Sequence, residues 1–255
     1  MHRSMFAIDT HTHLNHGSKF DSQPGICHYD ASFEYLQALN KVANIEAMFC
    51  STFSSVKTTE EVEEENQYMF ELASKTDGLY QWVVVDPRNE NTFKQADKML
   101  RTEKCVGVKL HPPNHQYSID EFGDKLFSFM SEYEAIVQIH PEREADYILD
   151  MANKYPKVTF IMAHVGGYHH ANAIEFAKNR NVYVDTSGLA SSCNKGIEYV
   201  VGRVGSDRML FGTDTYAAGF QRGRIEYALI SDADKENILR NNALKLFEKF
   251  LTKGK

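Results

Sequence analysis

The chain has 255 residues, 42% of them apolar and 25% charged, with a net charge of −7. This composition suits an ordinary globular protein of one large or two small domains. It excludes a long disordered chain, and it argues against nucleic acid or an acidic membrane surface as the main partner.

No apolar run approaches the ~18 residues of a membrane span. The N-terminal MHRSMFAID lacks the apolar core and cleavage site of a secretory signal. Cys27, Cys50, Cys105 and Cys193 are far apart and show no zinc or redox spacing. A cytoplasmic, disulfide-free protein acting on a small molecule is therefore expected, with room left for a homo-oligomer.

The first predicted element is the apolar run 5–9, which continues into His11 and His13. Further runs cover 46–51, 79–85, 105–110, 135–139, 158–163, 181–186 and 208–213. They are continuous rather than alternating and rich in Val, Ile and Phe, as strands buried on both faces are. Helical patterns lie between them, at 58–75, at 141–154 behind Pro141, and at 232–250 with Asp232 near its start and lysines near its end. Eight such strands with intervening helices over about 250 residues predict a single-domain (β/α)8 barrel across 1–255, distorted in places. An open doubly wound sheet is the alternative.

The runs end on residues capable of chemistry: His11 and His13, Asp86-Pro87, Lys109 and His111, His140, His164, Thr186-Ser187-Gly188, and Asp214. In a barrel these ends meet at the C-terminal face, where active sites lie. Side chains two apart on a strand point the same way, so His11 and His13 can grip one ion, and Lys109 and His111 become neighbours. His11, His13, His140 and Asp214 supply imidazoles and a carboxylate suited to a divalent transition metal, with Zn2+ ahead of Mn2+ or Fe2+. Taken singly, each has a plainer reading: a hydrogen-bonded core histidine, or Asp214 as a helix cap.

IDTHTHL, GVKLHPP (107–113), VQIHP (137–141), FIMAHVGG (160–167), VYVDTSG (182–188), MLFGTDT (209–215) and the terminal KENILRNNALKLF together resemble the amidohydrolase superfamily, in particular its amidohydrolase 2 branch. The resemblance runs almost end to end. It implies that His11, His13 and His140 bind metal, and that Asp214 both binds metal and accepts a proton from the attacking water. It implies that His164 is an acid/base or electrophile in a mononuclear site, or a ligand of a second metal in a binuclear one. It leaves Lys109 either carboxylated between two metals or, as favoured here, a free amine that meets a substrate anion. Read without the resemblance, Lys109 could also simply snorkel to the mouth.

Hydrolysis of a lactone, ester or amide follows from this set, with non-oxidative decarboxylation as the close rival. A barrel that binds metal or ligand without turnover is the third reading. The segment Asn15 to Asp30, with His16, Lys19, Phe20, Pro24, His28 and Tyr29, is either a lid or a plain surface loop. His115, Tyr117, His169, His170 and Arg222 are further candidates around the mouth.

Overall fold

The structure is a computed structural model and describes residues 5–17, 30–141, 146–189 and 192–251. Eight strands form one parallel sheet in sequence order: β1 Ala7–Leu14, β2 Ile45–Thr52, β3 Leu79–Val84, β4 Cys105–Leu110, β5 Ile136–Ile139, β6 Thr159–Met162, β7 Val182–Asp185 and β8 Met209–Leu210. Helices intervene: α1 Phe33–Val42, α2 Phe53–Lys57, α3 Val62–Ser74, α4 Glu90–Met99, α5 Pro112–His115, α6 Ile119–Glu132, α7 Asp146–Lys154, α8 Gly167–Phe176, α9 Gly196–Val204 and α10 Ala218–Glu226. This is the expected (β/α)8 barrel, nearly closed, rather than the open sheet.

Backbone and side-chain hydrogen bonds together complete the seam between β1 and β8. The Thr10 N–H donates to the Phe211 carbonyl at 2.9 Å, and the N–H groups of Thr213 and Asp214 both donate to the His11 carbonyl, at 3.0 and 2.7 Å. Thr215 Oγ1 accepts from the His13 N–H at 2.8 Å and donates to the His13 carbonyl at 2.6 Å. Asp9, fully buried, accepts from the His11 N–H, the Thr213 N–H and the Thr213 hydroxyl.

The lower interior is apolar. Ile8, Phe49, Trp82, Val106, Ile136, Ile161 and Leu210, one from each strand but β7, form a single cluster with Ala243, Phe247 and Phe250 from the C-terminal segment. Phe247 packs edge-on against Phe49 and Trp82, with ring centroids 4.7 and 5.8 Å apart, and so floors the barrel. The helical pattern expected over 232–250 is interrupted. After α11 Asp232–Glu236 comes a π-helical turn, Asn237–Asn241, then α12 Asn242–Leu246 and α13 Glu248–Leu251. The wider turn leaves the Ile238 carbonyl to accept from the Phe211 N–H at 3.0 Å.

Two register shifts decide what faces the upper interior. Asp9 pairs with Met48 but Thr12 with Cys50, so β1 carries one extra residue. That bulge lets Ile8 and His11, of opposite parity, both point inward. The freed Thr10 carbonyl accepts from Trp82 Nε1 at 2.9 Å and Gln138 Nε2 at 3.1 Å. On β4 the partners jump from Gln81–Cys105 to Trp82–Gly107, which brings Val106 and Lys109 to the same side. A Cβ at Gly107 would lie 2.1 Å from the Ile136 carbonyl oxygen, so this bulge requires glycine.

Candidate active site

The C-terminal half of β1 carries His11 and His13, both buried. Their Nε2 atoms are 3.3 Å apart, and Asp214 Oδ1 lies 3.6 Å from the first and 3.3 Å from the second. These three groups could hold one metal ion. Asp214 sits just beyond β8 with φ +54°, followed by Thr215 at +66°. Two successive non-glycine residues in the left-handed region are strained, and the bonds from β1 hold them there.

The donor chemistry fits a cation. His11 Nδ1–H donates to Asp185 Oδ2 at 2.9 Å, which leaves the Nε2 lone pair facing Asp214 and His13. His13 Nδ1 meets Ser51 Oγ at 2.9 Å, so its Nε2 can likewise turn a lone pair inward. Burial pushes His11 down to about 4 and lowers His13 as well, so both rings are neutral. In the metal-free site burial works to raise the Asp214 carboxyl, but a proton shared with His13 and the electrostatics of the neighbouring His11 ring hold it well below the usual range. Neutral imidazole nitrogens and an ionised carboxylate are ligands for a divalent transition metal.

Lys109 does not snorkel. It is fully buried, with Nζ 2.8 Å from His11 Nε2 and 3.1 Å from Gln138 Oε1, and burial pushes its amine down to about 8. His111 lies at the start of α5, where its Nδ1 accepts from the Asn114 N–H at 3.3 Å. Its ring stacks on His140 at 4.1 Å.

His140 approaches from the side of His164, with its Nδ1 3.1 Å from His164 Nε2, and stands outside the groups of donors within 4.8 Å of one another. His164 has φ +62°. Its Nε2 is 3.9 Å from Asp214 Oδ2, and its Nδ1 is 3.1 Å from the Ser187 carbonyl oxygen. With Nδ1–H given to that carbonyl, His164 Nε2 accepts from His140 Nδ1–H, and the lone pair of His140 then rests on its Nε2.

Several expected mouth residues serve other contacts. Arg222 is pinned by Glu226 and by the carbonyls of Ala43, Asn44 and Met5, at the N-terminal ends of β1 and β2 and away from the mouth. Its helix runs down the barrel wall and carries it there. Asp86 holds Arg88 through both carboxylate oxygens. His115 faces the Ser55 carbonyl, His169 pairs with Asp146, and His170 Nδ1 bonds the Gly166 carbonyl. His16 stacks on Tyr68 at 3.7 Å and bonds the buried Glu65 at 3.0 Å. Lys19, Phe20, Pro24, His28 and Tyr29 of the expected lid lie outside the described residues.

Asp185, Gln138 and Ser51 are site residues that the reading of run ends passed over, and Ser187 stood there as a run end without a role. Each is a polar residue within or just after an apolar strand, and that was the available signal. Asp185 is the centre of this set. Oδ2 accepts from His11 Nδ1 and from Gln138 Nε2 at 3.2 Å. Oδ1 accepts from the N–H groups of His164 (3.2 Å) and Ser187 (3.0 Å) and from the Ser187 hydroxyl (2.5 Å).

A parallel barrel whose C-terminal mouth gathers imidazoles and a carboxylate in cation-binding geometry is the architecture of a metal-dependent enzyme. A family model described as amidohydrolase matches residues 8–249. The chain belongs to this family, the amidohydrolase 2 branch of its superfamily.

Solved structures with the same fold share little sequence. A dihydroxybenzoic acid decarboxylase from Polaromonas sp. JS666, with bound manganese and 2-nitroresorcinol, is 17% identical, with a TM-score of 0.73 over 95% of this chain and 97% of that one. A 5-carboxyvanillate decarboxylase from Sphingomonas paucimobilis is 15% identical, at 0.72 over 96% and 99%. A proposed 2-pyrone-4,6-dicarboxylic acid hydrolase from Pseudomonas putida is 17% identical, at 0.71 over 96% and 98%. No curated protein shows a significant match. Among the described residues, no helix is long and apolar enough to cross a membrane.

Proposed function

We propose that this enzyme is a metal-dependent hydrolase that cleaves a lactone, ester or amide bond of a small anionic substrate. The observation that carries the reading is the convergence of His11 Nε2, His13 Nε2 and Asp214 within 4.8 Å of one another. These three would hold the ion, Zn2+ by donor type, with Mn2+ or Fe2+ as the other candidates. His140, which stands outside that group of three, would supply the fourth ligand through its Nε2. A divalent ion held by these residues would supply a water of pKa lowered toward ~7 and polarisation of an acyl oxygen.

The chain's own groups do the remainder. Asp214 Oδ2, 3.9 Å from His164 Nε2, accepts the proton of the attacking water. His164 Nε2, which faces Asp214, takes that proton from the carboxyl and delivers it to the leaving group. The Lys109 amine supplies a fixed positive charge beside His11 that attracts a substrate anion, and the stacked His111 and His140 rings wall one side of the site. The filled hydrogen bonding of Asp185 supports a mononuclear site, and the Lys109 Nζ contacts with His11 Nε2 and Gln138 Oε1 support an uncarboxylated amine. The second donor group, His11, His164 and Asp185, is already filled by hydrogen bonds from within the fold. The fully buried thiols of Cys50 and Cys105 accord with a cytoplasmic protein.

Non-oxidative decarboxylation of a small carboxylated substrate is the second reading. The bonded His140–His164 pair could pass a proton to carbon, and two of the similar structures are decarboxylases. A turnover screen of the metal-loaded protein over lactones, esters and carboxylated aromatics separates the two. Acid production without CO2 is expected. CO2 release would replace hydrolase by lyase, and silence on all classes with metal bound would favour a non-catalytic barrel. His164→Asn is expected to keep its metal and lose turnover, and loss of a second metal equivalent would overturn the mononuclear site.

A further inference from the structure

We propose that Ser187, seated on Asp185, is the positioning residue that fixes which nitrogen of His164 faces the reacting atoms. The inference rests on the reading of His164 as the proton-transfer group. Ser187 Oγ lies 2.5 Å from Asp185 Oδ1, 2.8 Å from His11 Nδ1 and 3.1 Å from His164 Nδ1. Asp185 can only accept, so the hydroxyl proton points at it and the oxygen's lone pairs turn toward the two imidazoles. His164 Nδ1–H therefore has two acceptors on one residue, the hydroxyl and, also at 3.1 Å, the carbonyl. The opposite tautomer would set the Nδ1 lone pair against both oxygens. Nε2 is thus left unprotonated toward Asp214 and His140, as a proton acceptor requires.

The next residue supports the same seat. Gly188 has φ +61°, and a Cβ there would come within 2.7 Å of His164 Nδ1 and 3.4 Å of Asp214 Oδ2. His164 itself is held at φ +62° by its N–H bond to Asp185 Oδ1. One carboxylate therefore orients two rings. It holds His11 directly, and it holds His164 through its backbone and through the Ser187 hydroxyl.

The test uses 15N-histidine-labelled, zinc-loaded protein, with the His164 signals identified by their loss in His164→Asn. In the parent protein the ring nitrogens of His164 are expected to show the Nδ1–H tautomer. Ser187→Ala, which keeps the carbonyl and removes the hydroxyl, is expected to raise the share of the other tautomer and lower kcat about 10–100-fold, with KM and metal content unchanged. Ser187→Thr, which keeps a hydroxyl, is expected to restore both. If the His164 spectrum and kcat of Ser187→Ala match the parent, the proposal is overturned. It is overturned equally if Thr rescues neither. A tautomer change in Ser187→Ala in a protein that turns over nothing in the screen supports the seat and defeats the proposed reaction instead.

Discussion

Two carboxylates bracket the His11 ring, and they differ in how they are satisfied. Asp185, at Nδ1, accepts five hydrogen bonds from four residues and is wholly buried. Asp214, at Nε2, is met by imidazole nitrogens at 3.3, 3.6 and 3.9 Å and stays 15% exposed. The first is complete within the fold, whereas the second shares its space with lone pairs and is complete only with a cation. The contrast separates a structural carboxylate from a chemical one. A buried charge with a full set of donors is costly to disturb, and one facing other acceptors is a site.

The strongest way to break this contrast is to remove the imidazoles. His11→Ala with His13→Ala is expected to bring bound metal to background by elemental analysis and to abolish turnover. Full occupancy in that double variant would end the metal assignment on the Asp214 side.

Exchanging each carboxylate for its amide sharpens the comparison. Asp214→Asn should retain some metal and lose about 10²–10⁴ in kcat, as removal of a general base does, while urea unfolding of the metal-free protein moves by no more than about 1 kcal/mol. Asp185→Asn turns an amide N–H toward at least one existing donor, and it should destabilise the fold by about 3–5 kcal/mol. Equal stability losses in the two variants would erase the distinction.

Acid should reveal the neutral imidazoles around Asp214. Burial pushes His11 to about 4 and His140 to about 3, below the ordinary 6.5. The unfolded chain binds protons below pH 6.5 that the folded chain refuses until about 4 and 3. Stability of the metal-free protein is therefore full above about pH 6.5 and falls as pH drops toward 4, by about 3 kcal/mol for His11 alone. Asp185 and Asp214, held below the ordinary 3.8, add their own loss only under that value. Urea midpoints at pH 7.5, 6 and 5 measure the imidazole part, and a flat series would show that these rings titrate in the fold as they do in the unfolded chain.

The smallest effect is expected at Ser51, whose hydroxyl meets His13 Nδ1 at 2.9 Å. Ser51→Ala removes one neutral partner and should cost about 1 kcal/mol of stability. Metal affinity should weaken about tenfold as the His13 ring loses its orientation. Unchanged affinity by competition with a chelator would show that backbone and packing alone hold His13.

The sequence by itself determined the barrel and the chemical vocabulary of its mouth. Eight apolar runs can be buried on both faces only under a layer of helices, and the residues that end them must then share one face. His11 and His13 were legible as a pair because residues two apart share a face, and Asp214 because strand ends share the mouth of the barrel. Tertiary structure decided what depends on register and on partners across the barrel. The bulge between Asp9 and Thr12 re-aimed His11, and the bulge beside Gly107 turned Lys109 inward. Arg222, legible only as a cation, went to carbonyls at the far end because its helix carries it down the wall. Asp185, one polar residue in an apolar run, became the centre of the site because five donors from three strand ends and Gln138 converge on it. Such convergence exists only after closure, and no local sequence pattern encodes it.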